Sequence, residues 1–421
     1  MKILHLKNSY IIKSIGILSI GSLFAQIIGF LGTIIITRLY TKETIGIVIV
    51  ITSISGMFGG VINGKFDLAI IKERKEERII PLILLSLYIG VIFSIIISII
   101  SSFYFKNQNL FSPIIATIYV FISLMLIALS NIFRCYNNNI EDYKIMSIVI
   151  IIRRLSEEVS MILFGIFKCG YIYLLISRAI GLCFGMRYQA RHLFKYLKRI
   201  LNCKIIEIIN VFNIHKKQLY YSAPATLINS ISYYILNIYI KELYNISRTA
   251  EYSISFTCLG VPLSILSTNI SKVYFAEASK EFELTGNFIQ ITKRIIAILL
   301  VSSIVLFIFI YFITPIIIPI MLSVEYSNAC NYIKILSPMF ITRFFTSSLI
   351  TGLIVAEKQN IDLYLESLFF ISSLLIFILS KKYQLNIYTF LSCVSAAYTF
   401  VYILFLILIV KYSKINYKSK H

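Results

Sequence analysis

The stretch that decides the fold is Ile145–Phe167, IMSIVIIIRRLSEEVSMILFGIF, which places four charged residues inside a segment otherwise apolar enough to cross a bilayer. These residues are Arg153, Arg154, Glu157 and Glu158. At 1.5 Å per residue, the two arginines lie roughly 12–13 Å from the start of the helix, near the middle of a hydrocarbon core about 30 Å thick. A charge at that depth costs about 2.5 kcal/mol or more, so such residues normally face a bundle interior or a watery path. The segment predicts a membrane helix with one polar face.

Two explanations of this polar face are open. Arg153 with Glu157, and Arg154 with Glu158, are spaced i, i+4, so each pair can neutralise itself on the helix surface. In that case the four charges are structural. Alternatively, the arginines bind an anion that crosses the membrane, while the glutamates act as counter-ions or titrate with a coupled proton. The spacing is compatible with both explanations.

The composition sets the class of protein. The chain has 421 residues, is 58% hydrophobic with a mean hydropathy of +0.85, and is only 14% charged, which excludes a soluble globular protein. The net charge of +21 does not indicate a nucleic-acid partner, because the basic residues lie between apolar spans. Seven scattered cysteines without C-x-x-C spacing and four distant histidines predict no disulfide framework, no metal site and no cofactor.

Apolar segments divide the chain into twelve predicted spans. The first is too long for a signal peptide and is followed at once by others, so we expect it to be retained. It also carries Gly21, Ala25, Gly29 and Gly32, a small-residue face that allows close helix packing. The predicted spans are 14–36, 45–63, 81–102, 113–133, 145–167, 171–186, 220–240, 251–275, 291–313, 333–356, 362–380 and 388–410.

The longest segment between spans is 187–219, which is basic and amphipathic in places and is expected to lie on the membrane surface. It separates two sets of six spans. We therefore predict an all-α integral membrane protein with two six-helix bundles around a central cavity. The predicted parts are an N-terminal bundle (1–186), a basic cytoplasmic connector (187–219), a C-terminal bundle (220–410) and a basic cytoplasmic tail (411–421).

The basic residues also predict orientation. With the N-terminus inside, the inner segments hold 26 Lys and Arg residues and the outer loops hold 8, so both termini are expected in the cytoplasm. Two arginines outside the first stretch are also deep, Arg178 in the sixth span and Arg343 in the tenth. With Arg153 and Arg154 they would give a central cavity a positive potential. Guanidinium groups stay charged and bind phosphates in a bidentate manner, which suits an anionic cargo.

Several stretches resemble one family. The run GSLFAQIIGFLGTIIITRLYTKETIGIVIVITSIS followed by KFDLAI looks like the opening of Wzx-type polysaccharide (O-antigen) flippases. These belong to the multidrug/oligosaccharidyl-lipid/polysaccharide (MOP) superfamily. In the second half, SAPATLINSIS, AEYSISFTCLGVPLSILSTNISKVYFAEASKEF and ILSPMFITRFFTSSLITGLIVAEKQN resemble the seventh, eighth and tenth helices of the same family. The resemblance touches nearly the whole chain.

The resemblance implies a function and several site residues. It implies a flippase of the bacterial cytoplasmic membrane that moves an undecaprenyl-diphosphate-linked repeat unit of O-antigen or another surface glycan to the outer leaflet, coupled to an ion gradient. Arg38 of TRLYT and Lys65 of KFDLAI are then expected at a gate, and Asp67 as a coupling or counter-ion group. Lys65 and Asp67 replace the Arg and Glu of the usual RYELAI form, keeping the charges. Membrane lipid, the polysaccharide polymerase and the chain-length regulator are the implied partners, with function as a monomer.

Other classes of function fit the sequence less well. A membrane-embedded polymerase or glycosyltransferase needs a sizeable external loop with catalytic groups, and the longest outer loop here, near 315–332, offers only Glu325. A cation or drug antiporter of the same superfamily is the closer alternative, but its cavity is expected to be acidic. A structural scaffold gives no reason for arginines at the midplane. The sequence favours a transporter rather than an enzyme.

Overall fold

The computed structural model describes residues 2–358 and 360–415 of the chain. Their contacts form two compact units, Met1–Tyr234 and Ile235–His421. The described residues contain helices and turns and no strand. In the first unit the α-helices are α1 (Lys2–Leu39), α2 (Lys42–Gly59), α3 (Phe66–Lys72), α4 (Glu76–Lys106), α5 (Pro113–Asn139), α6 (Tyr143–Ile166), α7 (Tyr171–Cys183), α8 (Met186–Gln189), α9 (Leu197–Leu201) and α10 (Ile205–His215).

The second unit begins inside helix α11 (Ala223–Leu243), which a π-helical turn at Gln218–Ser222 precedes. Proline lies inside two of its long helices, at Pro262 and Pro338. The remaining helices are α12 (Ile246–Thr285), α13 (Ile289–Ile308), α14 (Thr314–Met321), α15 (Ser327–Leu349), α16 (Thr351–Val355), α17 (Asn360–Tyr383) and α18 (Ile387–Lys414). Of the predicted basic tail, residues 416–421 lie outside the described residues.

Each of the twelve predicted spans coincides with a helix of the structure, and the prediction of an all-α membrane protein is confirmed. Among the described residues, nine helices are long and apolar enough to cross a membrane by themselves. The other three are α6, α7 and α11. Helix α6 carries the four charges, α7 has only 13 residues, and α11 is interrupted by asparagines, serines and tyrosines. A 13-residue helix is about 20 Å long, so α7 alone is shorter than the hydrocarbon core.

At one end of the first unit, the short helix α3 packs between α4 and α5. Phe66 and Ile70 of α3 are fully buried in an apolar cluster that includes Val211 of α10. The Asn139 amide of α5 donates to the carbonyls of Ile70 (2.8 Å) and Glu73 (2.8 Å), which supplies partners to the C-terminal carbonyls of α3. The connector segment therefore packs onto the first unit through α10.

Helix α6 begins with a charged cap. The Asp142 carboxylate accepts a hydrogen bond from the Ile145 amide at 3.1 Å, and the Arg191 and His192 side chains each approach it to 3.1 Å. Burial opposes ionisation, but these hydrogen bonds prevail and lower the pKa of Asp142 below its usual value.

Replacing Asp142 by Ala should lower the stability of the first unit by about 1 kcal/mol at neutral pH, because the α6 amide loses its acceptor. Since the folded pKa is depressed, the charge contributes stability above the unfolded carboxyl pKa of about 4 and loses it as pH falls through the folded value. Thermal unfolding of the purified protein between pH 7 and pH 3 measures this. Asp142→Asn keeps the cap and should remove the pH dependence; an unchanged pH profile in that variant would assign the dependence to another group.

Candidate functional site

The charged residues of α6 lie against glycines of the two neighbouring helices. Helix α1 packs along α6, and a Cβ atom added to Gly29 would overlap the Arg154 guanidinium. A Cβ atom added to Gly32 would overlap the Glu158 carboxylate. On the other side, a Cβ atom at Gly181 of α7 would come within 2.7 Å of the Glu157 Cβ. Glycine at these positions leaves the space that the charged side chains occupy.

Arg154 pairs with both glutamates of its own helix. Its Nη1 atom lies 3.1 Å from Glu157 Oε2, and its Nη2 atom lies 2.7 Å from Glu158 Oε1. The Glu158 side chain is only 5% exposed, whereas the Arg154 side chain is 34% exposed. Glu158 Oε2, packed against Gly32, has no hydrogen-bond partner among the described residues. The predicted pairing of Arg154 with Glu158 is confirmed, and about a third of the Arg154 side chain stays exposed.

Arg153 points away from the glutamates and holds the end of the short helix α7. Its guanidinium donates to the Phe184 carbonyl at 3.3 Å, to the Gln189 Oε1 atom at 2.9 Å and to the Ser130 hydroxyl. Phe184 is the C-cap of α7, where carbonyls lack partners within the helix and attract positive charge. The expected pairing of Arg153 with Glu157 is absent from the ion pairs of the described residues, because acceptors on α5, α7 and α8 engage Arg153 instead.

Arg178 of α7 joins the same site. It interacts electrostatically with Glu158 and with the phenol of Tyr119 on α5. Its Nε atom is buried and has no hydrogen-bond partner in the part of the chain that the structure describes. A buried guanidinium N–H normally has an acceptor, and this one has none among the described residues. We call Arg153, Arg154, Glu157, Glu158 and Arg178 the charged cluster; it contains one more positive than negative charge.

Replacing Gly29 by Ala should reduce transport, because the new methyl group displaces the Arg154 guanidinium from its two carboxylates. We expect a stability loss of about 1–3 kcal/mol, the usual cost of overpacking. Gly16→Ala in the same helix is the matched control, since a Cβ atom there meets nothing within 4 Å. Transport and melting temperature are measured for both variants. Equal behaviour of the two would show that the packing of α1 against Arg154 has no role in transport.

In the second unit, Arg343 lies beside two aromatic rings. Its guanidinium carbon is 5.5 Å from the Phe256 ring centre and 5.7 Å from the Phe340 ring centre. Both distances fall within the range of cation–π attraction, which tolerates a charge without neutralising it. The two rings therefore help to hold the Arg343 guanidinium in place.

The second unit also contains a buried carboxylate that the sequence reasoning missed. Glu251 is 1% exposed and lies 3.1 Å from Arg248 Nη1, while the Asn328 amide donates to it at 3.1 Å. Arg248 also donates to the Tyr332 hydroxyl at 3.2 Å, so the group joins α12 to α15. The sequence signal for this group is the spacing Arg248-x-x-Glu251 in the first turns of α12, whose N-cap is Asn245. This carboxylate is neutralised locally.

The predicted gate residues are separate from the charged cluster in sequence and environment. Lys65 adopts a left-handed conformation (φ 63°) directly before α3, and Asp67 is 3% exposed in its first turn. Burial raises the pKa of Asp67 and lowers that of Lys65, so both shifts favour the neutral forms. Arg38 lies exposed in the last turn of α1. Among the described residues, no group of three or more His, Cys, Asp or Glu side chains is arranged to hold a metal ion.

Sequence comparison supplies the family. A profile of the family described as "Polysaccharide biosynthesis protein" matches residues 11–280, which is more than half of the chain and includes the whole charged cluster. The chain belongs to this family. A search of curated proteins returned no match. The predicted relation to polysaccharide biosynthesis proteins is confirmed at the level of the family.

Solved structures of MOP superfamily transporters share the fold of this polysaccharide biosynthesis protein. The lipid II flippase MurJ in an inward closed conformation matches with a TM-score of 0.72 at 14% identity, covering 94% of this chain and 87% of that chain. A MOP superfamily transporter from Pyrococcus furiosus gives 0.64 at 13% identity, covering 96% of both chains. A multidrug resistance MATE family transporter in its inward-facing conformation gives 0.62 at 11% identity, with 94% of this chain and 96% of that chain covered. At such identities the likeness establishes the fold.

Proposed function

We propose that this polysaccharide biosynthesis protein is a flippase that moves an undecaprenyl-diphosphate-linked oligosaccharide from the cytoplasmic to the outer leaflet of the bacterial cytoplasmic membrane. The family match supports a role in surface glycan assembly, and the transporter fold supports movement across the membrane. The observation that carries the proposal is the charged cluster, in which a buried guanidinium N–H of Arg178 has no acceptor among the described residues. The excess positive charge disfavours a cation or drug antiporter.

Arg178 and Arg154 are the proposed contacts for the diphosphate. An unpaired phosphate in a low-dielectric core is very costly, and a buried N–H aimed at its oxygen offsets part of that cost. Arg154 is already held by Glu157 and Glu158, so the phosphate competes with these carboxylates for it. This competition favours release after the crossing. Arg343 is the proposed contact in the second unit, and Arg153 holds the end of α7 in place.

The two glutamates are the proposed route of ion coupling. When the diphosphate binds Arg154, Glu158 loses its partner and becomes a buried carboxylate without a counter-ion. Such a carboxylate takes up a proton or a cation, because desolvation penalises its charged form. Substrate binding and ion binding would therefore occur together. Lys65 and Arg38 are proposed as gate residues at the two ends of the first unit, and Asp67 as a further coupling or counter-ion group.

The proposed topology places both termini in the cytoplasm and follows from the excess of basic residues on that side. Pairing with a polysaccharide polymerase and a chain-length regulator, and function as a monomer, belong to the same proposal.

Deletion of the gene tests the function directly. Cells without the protein should accumulate lipid-linked repeat units on the cytoplasmic face and lose the surface glycan, and a plasmid copy should restore both. Purified protein in vesicles should then move a labelled lipid-linked repeat unit across the bilayer. An unchanged surface glycan profile in the deletion strain, together with no movement in vesicles, would overturn the proposal.

A further inference from the structure

Helix α10 has an apolar surface wider than the part that packs on the protein. Ile208, Val211 and Phe212 contact the apolar cluster of the first unit, and the Phe212 ring centre is 5.7 Å from that of Phe66. On a helix that turns 100° per residue, Ile205, Ile209 and Ile206 continue the same apolar arc. These three isoleucines are 73%, 52% and 69% exposed. Half of the apolar arc is therefore uncovered.

Basic residues surround this uncovered face. Lys204 directly precedes α10, and Lys216 and Lys217 directly follow it; all three are exposed. Across 187–217 there are eight Lys and Arg residues and a single acidic one, Glu207. Glu207 lies on the opposite side of the helix from Ile205 and pairs with Arg199 at 2.9 Å. The apolar face is thus bordered by uncompensated positive charge.

We propose that α10 is a docking surface for anionic phospholipid, with Ile205, Ile206 and Ile209 in the acyl region and Lys204, Lys216 and Lys217 on the headgroup phosphates. A helix with an apolar strip and basic flanks lies in the plane of a membrane interface and prefers anionic lipid. In the proposed topology this is the cytoplasmic leaflet. The docked lipid holds α10 against α3 and α4, since the other half of the same arc packs there. The inference is independent of the transported substrate.

Two natural cysteines serve as reporters. Cys203 lies two residues before α10, and Cys169 follows α6 at the opposite end of that helix from its cap Asp142. The full-length protein is placed in nanodiscs of phosphatidylcholine or of phosphatidylglycerol, and the alkylation rate of each cysteine by a neutral maleimide is followed by peptide mass spectrometry. Phosphatidylglycerol should slow Cys203 about fivefold or more, the effect of one basic residue at an anionic surface. The alkylation rate of Cys169 should not change between the two lipids, which controls for the effect of the surface potential on the reagent.

Variants assign the effect to the proposed contacts. The double variant Lys216→Gln with Lys217→Gln should make the Cys203 alkylation rate the same in the two lipids. Neither residue lies on the packed face of α10, so folding is preserved. Ile205→Ser with Ile209→Ser should raise the Cys203 rate in phosphatidylglycerol. Ile214→Ser is the matched control, because Ile214 is 49% exposed on the same helix but outside the apolar arc. Equal Cys203 rates in both lipids, protection by inorganic phosphate in detergent, or an equal effect of Ile214→Ser would each overturn the proposal.

Discussion

Arg178→Ala is expected to lower the rate of flipping about 30-fold or more. The substitution removes the buried N–H that the described structure leaves without an acceptor, and a desolvated charged contact is worth about 2–5 kcal/mol. The measurement is the movement of labelled lipid-linked repeat unit in vesicles that contain purified protein. Arg178→Lys keeps the charge but loses the planar pair of donors, so it should retain only part of the activity.

The loss must be separated from misfolding. Arg294→Ala removes an exposed arginine of α13 and serves as a matched control with unchanged rate. The melting temperature of Arg178→Ala should stay close to that of the wild type, because the arginine takes no part in the ion pairs found among the described residues. Full transport by Arg178→Ala would remove the arginine from the proposed site. If Arg178→Ala melts at a much lower temperature while Arg178→Lys stays fully active, Arg178 has a structural role.

The fold was predictable because its helices are marked by long, strongly apolar runs in the sequence. Each of the twelve predicted apolar runs coincides with a helix, and the small-residue face of α1 correctly indicated close packing. The errors lie at helix ends. The sixth span was predicted to reach residue 186, but α7 ends at Cys183, where Gly185 adopts a left-handed conformation (φ 77°). Helix α3 has only seven residues and lies between apolar runs, so periodicity gave no sign of it.

The site was predictable only where its contacts are local. The pairing of Arg154 with Glu158 follows from i, i+4 spacing on one helix. The contacts of Arg153 do not, because Ser130 and Gln189 are distant in sequence and only folding brings them near. The need for a donor there arises from the end of α7, whose last carbonyls lack partners within the helix. The residues Gly29 and Gly32 were predicted to pack, but the sequence did not identify the charged side chains of α6 as their partners.

The second large effect is expected when Arg154 is replaced. Arg154→Met leaves the Glu158 carboxylate, which is 5% exposed, without its ion-pair partner. Breaking a fully buried pair costs about 3–5 kcal/mol, and the exposure of Arg154 puts the loss here at or below the lower end of that range. Both stability and transport should fall. The double variant Arg154→Met with Glu158→Met removes both charges, and replacing a buried ion pair by apolar groups is often neutral for stability. Melting temperature and transport are measured for the two single variants and the double variant.

The double variant decides between the two explanations of the charged helix. If the glutamates only neutralise the arginines, removing both charges restores folding and transport together. If Arg154 binds the diphosphate, the double variant recovers its melting temperature but stays inactive. Arg154 remains 34% exposed although it is paired, so the ion pair does not bury the arginine completely. Glu158 also keeps one carboxylate oxygen without a hydrogen-bond partner among the described residues when the salt bridge is formed, so the pair does not satisfy the buried carboxylate fully. These two features favour an arginine that binds an anion, so we expect the double variant to recover stability but not transport.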